Sequence, residues 1–379
     1  MKTHGTGLLV LLAAAGMVFA GGLAGCKKAA EPAAKTYEWQ TELVDADAKA
    51  DTGSGPVQAL LDAAGVLHVV YRSPPTGGGK IKYSQRTGNG WQTELVSGPL
   101  WGGWSWPESL FLDAAGSPWL LSENSDTCRM ILACRQGDRW EDMIGTRGGM
   151  NPRAVVDSLG YPHLTYWKPG REYLEIDGLW HCWKDETGWR AEAVEDVVVG
   201  AEQCLAIAAD DSLHVVYSTI GSYVYRYDGP PGEDAVRYAV RRDGVWELSP
   251  IAAGRAEETE MVLDSLGRPH VAYTLDDKVY YAVLSEGAWV VEELPCPFAR
   301  VGVAIALTAD DQPLVAFVGF GGSSSDSLCL AARVDGQWEV QVIVERLYTF
   351  LTRITLSVGP SGAFITYYTP DGFYCAVGK

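Results

Sequence analysis

A unit roughly fifty residues long recurs along this chain, and internal periodicity of that length excludes most ways in which a chain can fold. One copy begins Val57-Gln-Ala-Leu-Leu-Asp62-Ala-Ala-Gly65-Val-Leu-His68-Val-Val-Tyr71. After a loop it continues as Lys80-Ile-Lys-Tyr-Ser84 and closes as Gly90-Trp91-Gln-Thr-Glu-Leu-Val96. The first half returns at Asp113 to Gly116, as Asp157-Ser-Leu-Gly160-Tyr-Pro-His163-Leu-Thr-Tyr166 and as Asp264-Ser-Leu-Gly267-Arg-Pro-His270-Val-Ala-Tyr273. Degenerate copies run from Asp211 to Tyr217, Asp311 to Phe317 and Gly362 to Tyr367. The second half is marked by Trp39, Trp91, Trp140, Trp189, Trp246, Trp289 and Trp338. The halves are out of phase: the series opens on a second half, Glu38-Trp39-Gln-Thr-Glu-Leu-Val44, and stops after a third segment, Phe373 to Val377.

Each segment reads as a strand. Ala59 to Leu61 and Leu67 to Tyr71 are nearly apolar throughout, as expected where both faces of a sheet are covered. Trp91 to Val96 and Trp338 to Ile343 alternate, which suits an outer strand with one wet face. No helical period is sustained over three turns. Four strands per unit and seven units predict an all-β, seven-bladed β-propeller of antiparallel blades over residues 37–379. Residues 39–44 are identical to 91–96, so the N-terminal strand is expected to complete the last blade and close the ring.

The turn in each first half, D-x-x-G, is structural in this reading. The aspartate accepts from turn amides and the glycine supplies the left-handed residue, a role that aspartate fills at positions 211 and 311. His68, His163, His214 and His270 occupy equivalent repeat positions, are expected to point into the next blade, and so do not converge on a metal.

The first 25 residues carry one lysine, no acid and an apolar run from Leu8 to Ala20, too short for a comfortable membrane span. They end Leu23-Ala24-Gly25-Cys26, which resembles the lipobox of bacterial lipoproteins. The resemblance implies a signal peptide over 1–25, a diacylated Cys26, a tether over 26–36 and a membrane-anchored protein of the cell envelope. Lys27 follows the cysteine in place of an inner-membrane retention aspartate, which points to the outer membrane. The net charge of -18 argues against nucleic acid as a partner. Seven further cysteines show no C-x-x-C spacing for zinc or redox chemistry; Cys128 with Cys134 is the local pair to test for a disulfide, and Cys182 reads as a small core residue.

The combined pattern D-x-x-G-x-P-H-V-x-Y and Y-A-x-x-x-x-G-x-W resembles the sialidase-like propeller repeats of exported bacterial proteins, over nearly all of the chain after the tether. The resemblance is one of fold. The stretches Arg242-Asp-Gly-Val-Trp246, Glu286-Gly-Ala-Trp289 and Asp335-Gly-Gln-Trp338 stand where that family has its Asp box and lack the box's serine and threonine. The family's arginine triad, tyrosine–glutamate pair and acid aspartate match no motif here, so no catalytic residue carries over.

Strand parity places any site. Loops from second to third strand and from fourth strand to the next blade share one face, and there they are long and varied, as at Trp167 to Leu179 and Ser218 to Val236. Trp101, Trp104 and Trp106 crowd one such loop, either as platforms for sugar faces or as a plug at the channel mouth. Glu108, Arg153, Glu202, Glu260, Arg300 and Arg353 fall near the inner ends of first strands, lining a polar axial pocket in one reading and forming solvated loop charge in the other. The sequence implies no cofactor and a monomer. Its leading functional reading is a non-catalytic binding or interaction module for a glycan or an envelope protein. The alternatives are a sialidase-like glycosidase or lyase using glutamates such as Glu108, Glu202 and Glu260, and a scaffold in an envelope assembly.

Overall fold

The computed structural model describes residues 37–49, 57–73, 80–96, 105–113, 115–124, 129–137, 139–147, 149–169, 176–196, 199–219, 233–296, 299–320, 326–347 and 353–379. Side chains at 105–106, 142–147, 169, 176–177, 199–202, 299–301 and 320 are outside the description. The signal segment, Cys26, the tether, Trp101, Trp104 and Cys128 lie outside the described residues.

Strand β1 spans Trp39–Asp45. Blade one follows as β2 (Val57–Leu61), β3 (Leu67–Ser73), β4 (Lys80–Thr87) and β5 (Gly90–Leu95). Blade two is β6 (Ser105–Leu112), β7 (Pro118–Asn124), β8 (Arg129–Gln136) and β9 (Arg139–Arg147). Blade three is β10 (Met150–Val156), β11 (Pro162–Pro169), β12 (Ile176–Asp185) and β13 (Gly188–Glu195). Blade four is β14 (Val199–Ile207), β15 (Leu213–Thr219), β16 (Ala235–Arg242) and β17 (Val245–Ala253). Blade five is β18 (Thr259–Leu263), β19 (Pro269–Leu275), β20 (Lys278–Ser285) and β21 (Ala288–Glu293). Blade six is β22 (Ala299–Leu307), β23 (Pro313–Phe320), β24 (Asp326–Val334) and β25 (Gln337–Val344). Blade seven has β26 (Thr355–Gly359), β27 (Gly362–Thr369) and β28 (Gly372–Gly378).

Each blade is a four-stranded antiparallel sheet, and β1 supplies the fourth strand of blade seven. It pairs with β28, with Trp39 opposite Gly378 and Leu43 opposite Tyr374, so the chain's two ends close one ring. The innermost strands β2, β6, β10, β14, β18, β22 and β26 each touch the next, and β26 returns to β2. The protein is a seven-bladed β-propeller.

The core is distributed between the blades. Buried apolar side chains fall into seven clusters, one at each blade interface. Between blades one and two, for example, Val70, Ile81 and Tyr83 meet Leu120, Ala133 and Trp140. This is why β3 and β15 are buried at every position, while the outer strands β5 and β21 alternate between exposed and half-buried residues.

The repeat's conserved polar letters build two local devices. In the first, Asp62 accepts from the amides of Ala64 and Val66 at 2.9 and 2.7 Å and meets His68 Nε2 at 3.3 Å. His68 Nδ1 in turn lies 2.5 Å from the Tyr83 hydroxyl. Asp264, His270 and Tyr281 repeat this relay, and in blade three His181 stands where the tyrosine would. The expectation that these histidines point into the next blade is therefore corrected: they bond within their own blade. It is the tyrosine that reaches across, Tyr83 packing edge-on against Trp140 and Tyr281 against Trp338. Among the described residues no group of histidine, cysteine or acidic side chains is arranged to hold a metal.

The second device ties the outer strands. The residue three after each blade's tryptophan accepts the indole N–H of the next blade's tryptophan: Glu42 from Trp91, Glu94 from Trp140, Glu192 from Trp246 and Glu292 from Trp338. The same four glutamates pair with Arg86, Arg135, Arg241 and Arg333, each directly opposite its blade's tryptophan. Where the acceptor is Ser249 or Gln341 instead, and where Met143 stands at that position, the arginine position of the following blade holds Leu284, Gly378 and Lys184. Acid and arginine come together or not at all.

The substitution of aspartate for glycine at 211 and 311 has its own cause. Both residues take the left-handed conformation, with φ of 61° and 57°. Each carboxylate then receives the backbone N–H and hydroxyl of the serine in the preceding blade's turn: Ser158 bonds Asp211 at 2.9 and 2.6 Å, and Ser265 bonds Asp311. Turns with alanine at the serine position, at Ala63 and Ala209, are followed by glycine at 116 and 267.

Candidate functional site

Inner strands start on the face that carries the long loops, so their first residues ring the axis there. Parts of four blades meet in one small hollow of about 20 Å3, lined by Gln58, Glu258, Thr259, Glu260, Arg353 and neighbouring apolar residues. Glu260 sits on β18 and Arg353 just ahead of β26, and the fold brings these two sequence-predicted residues to the same lining. Glu258 has a fixed role, accepting the backbone N–H groups of Gly302 and Val303 at 2.8 and 2.9 Å and tying blade five to blade six. Thr259 is 2 % exposed, and its hydroxyl has no hydrogen-bond partner.

Glu108 and Arg153 are placed differently. They form an ion pair at 2.6 Å between β6 and β10, both nearly fully buried, and Arg153 also donates to the Pro152 carbonyl. The pair belongs to a polar knot joining blades two, three and four. Glu123, at the end of β7, accepts the Asn151 N–H at 2.8 Å, and Gln203 donates to the Asn151 carbonyl at 2.8 Å. Asn151 sits at φ 46°, in a bulge of β10. Burial raises the Glu123 carboxyl above the usual range, against the Asn151 amide bond and the Arg153 charge, which pull it down. Gln203 is fully buried and its carbonyl oxygen has no hydrogen-bond partner.

Trp106 lies on β6 opposite Glu123, Glu202 on β14 and Arg300 on β22, with side chains outside the description. Sequence reasoning missed Gln58, Thr259, Glu123, Asn151 and Gln203. The available signal was polar residues interrupting apolar strands, as in Ser122-Glu-Asn124 after Trp119-Leu-Leu121. Of the cysteine pair proposed for a local disulfide, Cys134 is a buried free thiol, as are Cys296, Cys329 and Cys375.

No family model matches the sequence, and no curated protein matches it either. Solved structures do resemble it. AofleA from Arthrobotrys oligospora is 14 % identical, with a TM-score of 0.53, over 82 % of this chain and 90 % of that one. The Aleuria aurantia lectin, solved as a mutant in complex with Fucα1-6GlcNAc, is 16 % identical with a TM-score of 0.50, over 77 % of this chain and 96 % of that one. More distant is the Hadza microbial sialidase Hz136, 10 % identical with a TM-score of 0.46, over 86 % of this chain and 65 % of that one. At these identities the likeness is one of fold.

Proposed function

We propose that this chain is a lipoprotein of the cell envelope, acylated at Cys26 and held at the outer membrane, whose propeller binds carbohydrate without turning it over. The observation that carries the binding reading is the axial hollow. Gln58, Glu260 and Arg353, from three blades, line it together with Thr259, whose buried hydroxyl lacks a partner. Buried polar atoms are nearly always satisfied, so an unsatisfied one beside a hollow with room for about one water-sized group suits a single ligand hydroxyl reaching in from the long-loop face. A propeller scaffold of this kind carries a saccharide in the Aleuria aurantia lectin, which makes the class a natural one to test. The tryptophans at 101, 104 and 106 would add apolar platforms on the same face.

The state of Glu108 favours binding over hydrolysis. A carboxylate buried in an ion pair with Arg153 is not available to activate water. The test is a glycan array probed with the purified chain, with Glu260→Gln and Arg353→Ala in parallel. Binding to a saccharide set that either variant abolishes supports the reading. Saccharide turnover by the wild type, or binding that both variants leave intact, overturns it.

A further inference from the structure

A second hollow, of about 510 Å3, opens on the long-loop face between blades six and seven. Its lining includes Thr41, Arg346, Tyr367, Thr369, Asp371 and Tyr374. It shares no residue with the axial hollow.

The repeat itself shows why it is open. Blades five and seven are built alike at this point: each carries two tyrosines paired across the second and third strands, Tyr273 with Tyr280 and Tyr367 with Tyr374. Both pairs stack, at 5.3 Å and 13° in blade five and at 6.0 Å and 20° in blade seven. Both blades then end the second strand two residues later in a tight turn. In blade five that last residue is Leu275, which closes against Gly254 of blade four so tightly that an added Cβ would lie 2.8 Å from Leu275 Cδ1. In blade seven it is Thr369, shorter and polar. Eight residues after the blade tryptophan, where blade four has Gly254 at φ 105°, blade six has Arg346 at φ 60°. The seam thus replaces the apolar plug by a threonine and sets an arginine in a left-handed conformation that strains a non-glycine residue. The N–H that meets the third strand, Gly254 onto the Asp234 carbonyl in blade four, is in blade six that of the buried Leu347 onto Asp326, so Arg346 is an extra, exposed residue beside the hollow.

We propose that this seam hollow binds one ring of a neutral saccharide. The Tyr374 ring offers a flat apolar wall for a pyranose face, backed by Tyr367. Arg346 supplies donors and Asp371 acceptors, the complementary pair that neighbouring hydroxyls require, and Thr41 and Thr369 add further hydroxyls to the lining. The volume is of the order expected for a small-ligand site. With the axial hollow this makes the propeller bivalent for carbohydrate, although the seam site stands on its own residues.

Two variants that suit the local backbone are expected to fold. Thr369→Leu supplies the plug, and Arg346→Gly removes the charged donor together with its left-handed strain. Binding of methyl glycosides of neutral hexoses to the full chain is measured by saturation-transfer NMR and titration calorimetry, with methyl glucuronide as the acidic comparison. The expected result is a neutral glycoside whose dissociation constant rises at least tenfold in both variants and is unchanged in Arg353→Ala. Unchanged affinity in Thr369→Leu and Arg346→Gly overturns the proposal, and so does a preference for the glucuronide. If Arg353→Ala alone weakens binding and the seam variants leave every glycoside's affinity intact, the seam site falls and the axial reading stands; the axial reading falls only if no glycoside's binding is weakened in Arg353→Ala, whatever the seam variants do.

Discussion

Arg153 and His181 show how far a single buried polar side chain can matter in this ring. Removing Arg153 takes the countercharge 2.6 Å away from the buried Glu108, the costly way to break a buried pair. Arg153→Ala is expected to lower unfolding stability by about 3–5 kcal/mol in urea titrations, whereas a loss under 1 kcal/mol would mean that water reaches the site. His181 is fully buried between His163 and Glu192, and burial, ahead of the Glu192 hydrogen bond that opposes it, holds its imidazole down to about 4. The unfolded chain therefore takes up a proton between about pH 6.5 and 4 that the folded chain does not, so stability falls as pH drops through that window. Hydrogen bonds from His181, Arg241 and Trp246 outweigh burial at Glu192 and bring its carboxyl down to about 2, which extends the loss to lower pH. His181→Tyr, which restores the residue used at Tyr83 and Tyr281, should flatten the stability profile between pH 7 and 4.5. An unchanged slope would assign the acid sensitivity to other histidines. These roles were only half legible in the sequence. The histidines' repeat positions were plain, but whether each bonds inside its blade or across the seam depends on a rotamer set by the packed tyrosine.

At the scale of the element, the outer strands are stapled by the acid three residues after each tryptophan and the arginine of the next blade. These ion pairs are about a quarter to a third exposed, so each contributes on the order of 1 kcal/mol or less beyond the tryptophan's burial. The seam from blade two to blade three lacks the staple. Met143 stands at the acceptor position and Lys184 at the arginine position, and Trp189 is 40 % exposed where Trp140 is 5 % exposed. Met143→Glu with Lys184→Arg should therefore raise the thermal midpoint, and neither change alone should do so; a gain from one of them alone would show that the staple is not cooperative. The tryptophans were read from the sequence as markers of the repeat. Their function as donors to the previous blade was not, because donor and acceptor lie in different repeats and only the radial stacking of sheets makes them neighbours.

For the whole molecule, closure is the decisive feature. Deleting the residues through Asp45 removes β1 and leaves β28 as an unpaired edge in the blade that joins the ring's ends. Such a chain should aggregate or lose its single cooperative unfolding transition, as read by size exclusion and calorimetry, and a monomeric, cooperatively folding product would contradict the closure argument. Cys26→Ser should move the protein from the membrane to the soluble fraction of fractionated cells, and retention there would count against the lipid anchor. The repeat by itself determined the all-β class, the blade number, the offset of the termini and the face on which the long loops emerge, because periodicity and strand alternation are local properties of the chain. Tertiary structure alone decided which side chains share a cavity. Glu108 and Glu260 occupy related places in their blades, yet one is locked to Arg153 in a buried pair and the other lines a small hollow shared by four blades. The reason is that the axial site and the seams are made by neighbouring blades, and what a residue meets across a seam is written in a repeat some fifty residues away.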